Sequence, residues 1–378
     1  MSLKLIDIIN VLTVPKVILR YIIMNFLDFA TIKKLLLIVK EMNVLDDYSK
    51  QLLEMANKGF RYNCKKGNLI VVKWLYFHNI IDTYDINDTR NINDINEYTF
   101  QLCCERGHLT VAKWLYSIGN IDIHNFNDHT FCSSCKNGHL TVAKWLYSLG
   151  RVNIHVDYED AFTSSCENGH LTVAKWLYAI SEHKIDIHIE NEYAFRQSCA
   201  HGHLDVAQWL YSISQDSINI YIGNEYAFKY SCASGHLAVA KWLYSLASAN
   251  IHADDGCAFR LSCGNGHLDV AKWLYSLGER MDQMDRTNRI NIHAANEDAF
   301  ALSCENGHLA VAKWLYSLGD IDIHANNEHA FKWSCKNGHR AVAEWLYSLG
   351  NVDIHINNNY LFKFLNKEVL DWVEKLII

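Results

Sequence analysis

The chain has 378 residues, 35 Lys and Arg against 42 Asp and Glu, a formal charge of −7, and is half hydrophobic. That balance, with no basic stripe evident in the linear sequence, argues against nucleic acid as a partner. Twelve cysteines would suit a disulfide framework, but no signal peptide is visible, so the expected setting is an intracellular, reducing compartment.

In chain order, residues 1–57 come first and are apolar, with the sole proline at Pro15. Lys4, Asp7, Lys16, Arg20 and Asp28 interrupt them too often for a membrane span. This segment is predicted to be helical. From residue 58 a tetrapeptide recurs: Lys66-Gly67-Asn68-Leu69, Arg106-Gly107-His108-Leu109, Asn137-Gly138-His139-Leu140, and onward to Asn337-Gly338-His339-Arg340. Its glycines at 67, 107, 138, 169, 202, 235, 266, 307 and 338 leave intervals of 40, 31, 31, 33, 33, 31, 41 and 31. A period in the low thirties signals a repeat array, and such arrays usually bind rather than catalyse.

Within one period, Phe259 and Cys263 share a face at i and i+4. Beyond Gly266, Leu268, Ala271, Leu274 and Leu277 recur at i+3. This predicts two short helices on either side of a left-handed glycine. A second glycine (Gly119, Gly150, Gly278, Gly319, Gly350) is expected to end the second helix in the same way. An extended polar loop such as Asn120–His124 follows. Asn191-Glu192, Asn224-Glu225, Asn296-Glu297 and Asn327-Glu328 are then expected to cap the next helix. Residues 358–378, with Tyr360, Leu361, Phe362, Leu365, Val369, Leu370 and Trp372 and no turn signature, read as a closing helical cap.

These motifs resemble the ankyrin repeat. Gly-His-Leu-x-Val-Ala-Lys-Trp-Leu-Tyr stands where that family has Gly-His-Leu-x-Val-Val-Lys-Leu-Leu-Leu, and Asp122-Ile123-His124 stands where it has Asp-Val-Asn. The family's Thr-Pro-Leu-His opening is replaced by forms such as Asp298-Ala299-Phe300-Ala301. The resemblance covers about residues 58–357 and implies an all-α, helix-turn-helix solenoid of about nine repeats. In wording the units look like the ankyrin-type proteins that giant DNA viruses of amoebae carry.

Nine cysteines (64, 104, 135, 166, 199, 232, 263, 304 and 335) fall once per repeat, where the family has a small buried residue, and read as free core thiols. Eight histidines follow the turn glycine and seven close the Ile-His loop. One per repeat cannot converge on a metal, so they read as turn-bonding groups. Cys132-x-x-Cys135 lacks the second pair a zinc site needs. The once-per-repeat tryptophans, Trp74 to Trp345, read as inter-repeat packing. No Gly-rich phosphate loop, nucleophile elbow or HExxH occurs, so neither enzyme activity nor any cofactor is expected.

The two positions after the first-helix Phe vary: Gln101-Leu102, Cys132-Ser133, Thr163-Ser164, Arg196-Gln197, Lys229-Tyr230, Arg260-Leu261, Ala301-Leu302 and Lys332-Trp333. The resemblance places this helix on a concave, partner-contacting face. Trp, Tyr and Arg dominate interface hot spots, so Arg196, Gln197, Lys229, Tyr230, Arg260, Lys332 and Trp333 become candidate partner-binding residues. Neutral drift is the alternative. Insertions at 79–93 and 279–289 break the period, and binding loop and drifting polar loop are equally open there.

Residues 14–40, from Val14-Pro15-Lys16-Val17-Ile18-Leu19 onward, resemble an F-box, the helical motif that docks adaptors onto cullin-type ubiquitin ligases. They depart from it by lacking the acidic residue where Val17 stands and a Trp near Met42. On this reading Pro15, Ile18, Leu19 and Ile22 bind a ligase linker; on the other, residues 1–57 cap the first repeat. The expected protein is a monomeric scaffold binding one or more proteins, host proteins among them, through concave helices and loops. The alternative is a substrate-recruiting adaptor with ubiquitin-ligase components as partners. Neither reading involves a membrane.

Overall fold

A computed structural model describes residues 58–77, 92–119, 121–215, 217–247, 249–281, 290–350, 352 and 369–372. The candidates at Pro15, Ile18, Leu19 and Ile22, most of both insertions, and most of the closing segment lie outside these residues. The chain divides into two compact units. One runs to Ala161 and includes Lys175–Leu177; the other comprises Phe162–Ala174 and the chain from Tyr178.

Among the described residues the fold is all helical, with no strand. In the first unit the first helices of successive repeats are Phe60–Lys65, Ile92–Glu105 and Asn125–Lys136, and the second helices include Leu69–Phe77, Leu109–Ile118 and Leu140–Ser148. In the second unit the first helices are Ile189–Ala200, Ile222–Ala233, Ala253–Gly264, Ala294–Glu305 and Ala325–Lys336. They alternate with Leu204–Ile213, Leu237–Ala247, Leu268–Met281, Leu309–Ser317 and Arg340–Ser348. Val156–Glu167 and Leu171–Ile180 form one further pair, through which the division between units passes. Within each unit consecutive first helices pack on one another.

The turn between paired helices is built the same way throughout. In Ile189–Ala200 the Gly202 N–H donates to the Cys199 carbonyl at 3.2 Å and the His203 N–H to the Ser198 carbonyl at 2.8 Å. That pair of bonds is a Schellman closure, and it requires the left-handed φ of +83° that Gly202 adopts. The framework Phe before it is at most 1 % exposed in every repeat from Phe60 to Phe331. Each such ring contributes about 1.5–3 kcal/mol by leaving water. The nine framework cysteines are free and fully buried, filling the space beside those rings. Burial pushes up the thiols of the eight from Cys104 onward, to about 12 for Cys304 and Cys335.

The glycines expected to end the second helices behave in three ways. Gly150, Gly319 and Gly350 are left-handed, at φ +93°, +105° and +97°. Gly119 is extended instead, at φ −115° and ψ 160°. Gly278 lies inside Leu268–Met281, because its inserted loop lets the helix run on.

The predicted Asn-Glu helix caps are corrected by the structure. No side-chain cap bond forms; Glu190-Asn191-Glu192, Gly223-Asn224-Glu225, Ala295-Asn296-Glu297 and Asn326-Asn327-Glu328 are instead single left-handed turns. Asn suits the middle position because it tolerates left-handed backbone better than other side-chain-bearing residues, for which such a turn costs about 1–2 kcal/mol per residue. What holds the turn is the Glu. It folds inward to 5–8 % exposure, and, except at Glu225 where Tyr221 takes the place, the loop histidine four residues earlier meets it. His188 Nδ1 lies 2.9 Å from Glu192, and His155, His293 and His324 lie 2.7 Å from Glu159, Glu297 and Glu328. In the first unit Asp128 takes the same role with His124 at 2.6 Å. Several of these carboxylates also accept an N–H from the next loop: Asn153 to Asp128 at 3.0 Å, Asn219 to Glu192 and Asp322 to Glu297 at 3.4 Å. One buried acid therefore closes its own turn and ties it to the following repeat.

The turn histidines form a second stitch. The rings of His108, His139, His203, His236, His267, His308 and His339 lie over the turn glycine of the preceding repeat, so a Cβ added at Gly107, Gly202 or Gly266 would sit 2.4–2.5 Å from the next repeat's Nδ1. His108 Nε2 lies 2.9 Å from the Lys65 carbonyl, at the open end of the preceding first helix. Asn265, Asn306 and Asn337 reach the equivalent carbonyls of Ala233, Gly264 and Glu305 at 2.6–2.9 Å. The tryptophans make the third. Trp273 meets Tyr244 edge-on at 5.9 Å and Phe228 at 6.3 Å, and Trp314 meets Tyr275 and Phe259 likewise.

Candidate interaction surface

From the third repeat on, the first helix buries Phe, Ser and Cys; Asn63 and Cys103 stand in for the Ser in the first two. The Ser is satisfied internally: Ser231, Ser262, Ser303 and Ser334 Oγ each donate to the Phe carbonyl three residues earlier at 2.8 Å. With the framework closed in this way, some variable positions are buried, at Cys132, Thr163, Ser164, Lys229 and Ala301, and the rest reach the surface. In the second unit they form a run of aromatic and cationic side chains.

Arg196 begins it. Its Nε donates to the Asn191 carbonyl at 2.7 Å and its Nη2 to the Glu190 carbonyl at 3.1 Å, so the guanidinium braces the left-handed turn beneath it. Its flat face lies 4.7 Å from the centre of the Tyr226 ring. Tyr226 stacks on Tyr230 with ring centroids 4.3 Å apart, and Gln197 Nε2 donates to the Tyr226 hydroxyl at 3.4 Å. Tyr193 donates to Glu167 Oε2 at 3.2 Å; burial, then that carboxylate, raises its hydroxyl pKa above the usual range. Further on, Lys336 Nζ lies 3.8 Å from the Trp333 ring centroid, and His329 stacks on the same indole at 5.7 Å. His329 Nε2 is 3.1 Å from Glu305, which fixes its ring.

The seven sequence candidates therefore play different parts. Tyr230 stands out at 42 % exposure, while Arg196, Gln197, Lys332 and Trp333 are half-buried on the same helix face. Lys229 is buried and its ammonium pairs with Asp254 of the next repeat. Arg260 pairs with Asp298 and, like Arg196, donates to two carbonyls of its own left-handed turn, those of Asp254 and Asp255, at 3.2 Å. Lys229 and Arg260 thus act as clamps between repeats. Tyr193 and Tyr226, two positions before the framework Phe, belong to this surface although attention to the residues after Phe passed over them. The recurrence of Tyr before Ala-Phe was the available signal.

In the first unit the equivalent face is plainer. Arg61 lies 5.2 Å from the Tyr98 ring centre, and Ser133 Oγ meets His129 Nε2 at 3.2 Å. Cys132 is buried rather than displayed; burial and the nearby carboxylates of Asp160 and Asp128 push its thiol up to about 12, so it is an inert packing group. Among the described residues no three His, Cys, Asp or Glu side chains are grouped to hold a metal ion, and no helix is long and apolar enough to cross a membrane.

Comparison with curated proteins gives no match. Residues 259–358 match the family model for ankyrin repeats, in three copies. Together with the repeated helix-turn-helix units, that match supports the ankyrin-repeat family for this array, a family of repeats that are generally protein–protein interaction modules.

Proposed function

We propose that this chain is an interaction scaffold that binds a partner protein through the outward face of its first helices, centred on Tyr230, Gln197, Arg196 and Trp333. The observation that carries this reading is the Arg196–Tyr226–Tyr230 stack. It places large, rigid, amphipathic side chains at the surface, held by neighbours rather than by water, as interface hot spots require. The Ser133–His129 contact brings a hydroxyl and an imidazole together, but among the described residues no third group orients that histidine and no donor pair faces it, so binding without catalysis is the function we infer. The test is affinity purification with the intact chain and a Tyr230→Ala/Trp333→Ala variant of unchanged circular dichroism. Proteins recovered with the intact chain and lost with the variant are expected; identical recovery by both refutes the assignment.

The likeness of the units to giant-virus arrays leads us to place host proteins among those partners. The motif around Val14-Pro15-Lys16 supports a second reading as a ligase adaptor. A Pro15→Ala/Leu19→Ala variant tests it: ligase components recovered with the intact chain alone favour the adaptor, and their absence from both favours a cap.

A further inference from the structure

The second helices carry a surface that the linear sequence hides. Most repeat Leu-x-Val-Ala-Lys-Trp-Leu-Tyr, with Val, Ala and Leu buried, as Val111, Ala112 and Leu115 are. The Lys therefore stands on the opposite side, and Lys113, Lys144 and Lys175 of the first unit and Lys241, Lys272 and Lys313 of the second are all exposed. The other outward positions are small and mostly neutral: Thr110, Thr141 and Thr172, Ala238 and Ala310, and the serines that follow Tyr. Leu109–Ile118 and Leu140–Ser148 contain no acidic residue; in the second unit Asp205 and Asp269 at the outward position before Val, with Gln208 and Glu344 in place of Lys, break the face. In a chain of net charge −7 this face is locally basic, while exposed acids such as Asp157, Glu190 and Asp255 sit on the loops and left-handed turns.

These lysines are also positioned. Lys113 Nζ lies 5.9 Å from the ring centre of Trp145 in the following repeat, and Lys313 Nζ 6.0 Å from that of Trp345. Each indole is held edge-on by the Tyr before it: Trp145 by Tyr116 at 5.8 Å, Trp345 by Tyr316 at 5.8 Å. At these two lysines the ring steadies the stem and sets where the charge stands. Tyr116, Tyr147, Tyr316 and Tyr347, 36–40 % exposed, edge the same face.

We propose that this lysine face is a second docking surface, separate from the first-helix face, and that its occupant is an acidic polypeptide segment. Charge density decides the class of partner. Adjacent helices pack at about 8–10 Å, so cations recur at about that interval within a unit, whereas duplex DNA carries a charge every ~1.7 Å. A polypeptide with spaced Asp or Glu matches the sparser array. The Trp and Tyr faces that would stack on bases are engaged with one another, and among the described residues Ile70 is the one large aliphatic side chain projecting from these helices, too little to enter a bilayer. The tyrosine hydroxyls add polar contacts suited to a peptide backbone.

The test is a fluorescence-anisotropy titration of a fluorescein-labelled, glutamate-rich peptide with the full chain, at about 50 mM and about 300 mM salt. Binding that weakens with salt is expected. Lys113→Gln, Lys144→Gln, Lys241→Gln and Lys313→Gln combined should weaken it about tenfold, as several exposed ion pairs lost together would. The same four changed to Arg should retain binding, and Lys332→Gln/Lys336→Gln on the first-helix face should leave it unaltered. Thermal unfolding of the variants guards against a folding defect, which exposed lysines do not predict. No binding by the intact chain, or equal binding by the Gln variant, overturns the proposal. So does tighter, Lys-dependent binding to single-stranded DNA, to phosphatidylserine vesicles or to a second copy of the chain.

Discussion

The contact between a turn glycine and the next repeat's histidine makes a quantitative prediction at Gly169. Two costs attend Gly169→Ala. The backbone is left-handed there, φ +76°, which penalises any side chain by about 1–2 kcal/mol. The new Cβ would also lie 2.3 Å from His203 Nδ1 and 2.5 Å from its Cε1, so the ring must move. That ring is held by a hydrogen bond to the Glu167 backbone carbonyl, and losing it adds about 1–2 kcal/mol. The single variant should therefore lose about 2–4 kcal/mol. In a His203→Ala background only the backbone cost remains, about 1–2 kcal/mol, giving a coupling of about 1–2 kcal/mol. Urea unfolding followed by circular dichroism measures all four corners of the cycle. Amide exchange at His203 and Leu204 shows whether the loss is local, as nearest-neighbour repeat energetics require. Equal cost in both backgrounds would refute the claim that the histidine, beyond the φ angle, demands glycine.

Trp273→Ala removes a half-buried ring contacting Tyr244 and Phe228, and should cost about 2–3 kcal/mol, below the range for a fully buried Trp. Trp333→Ala loses chiefly its stack with Lys336 and should cost under about 1 kcal/mol in the same urea assay; similar costs for both would undo the division between framework and surface. Glu297→Gln breaks the His293 pair and should destabilise by about 1–2 kcal/mol. Glu225 faces Tyr221 instead of a histidine, and its burial raises its pKa above the ordinary value, so it holds a proton more readily folded than unfolded. Its charge at neutral pH therefore opposes folding, and Glu225→Gln should leave the urea midpoint unchanged or raise it. His203, His236 and His308 have lowered pKa values, by burial and then chiefly by charges on neighbouring histidines. The unfolded chain takes up these protons first, so stability is present above pH ~6.5 and is lost as pH falls through the window below it. Urea midpoints from about pH 7.5 to about pH 5.5 should show that decline, and His203→Gln should reduce it.

Nine recurring turn glycines, one Phe and one Cys per period, and apolar positions at i+3 were enough to specify paired helices, their turns and their buried stripes. The reason is that each of those features is satisfied within one repeat or against an identical neighbour, so local chemistry and periodicity carry it. The role of the loop Asn-Glu was not accessible in that way. Read locally, Asn191-Glu192 is a helix cap; only when the following repeat supplies the Asn219 N–H does the carboxylate turn inward to His188 and the backbone go left-handed. The seven variable-face candidates divide on the same ground. Lys229 and Arg260 look like Arg196 and Lys332 in sequence, yet Asp254 and Asp298, 25 and 38 residues later, claim them as clamps. The lysine face shows the converse: a residue recurring in most repeats reads as framework in one dimension, and net charge conceals it. Sequence by itself determined what each repeat is, because a repeat buries its own pattern. Tertiary structure alone decided which side chains are left to meet a partner, because that depends on what the next repeat takes.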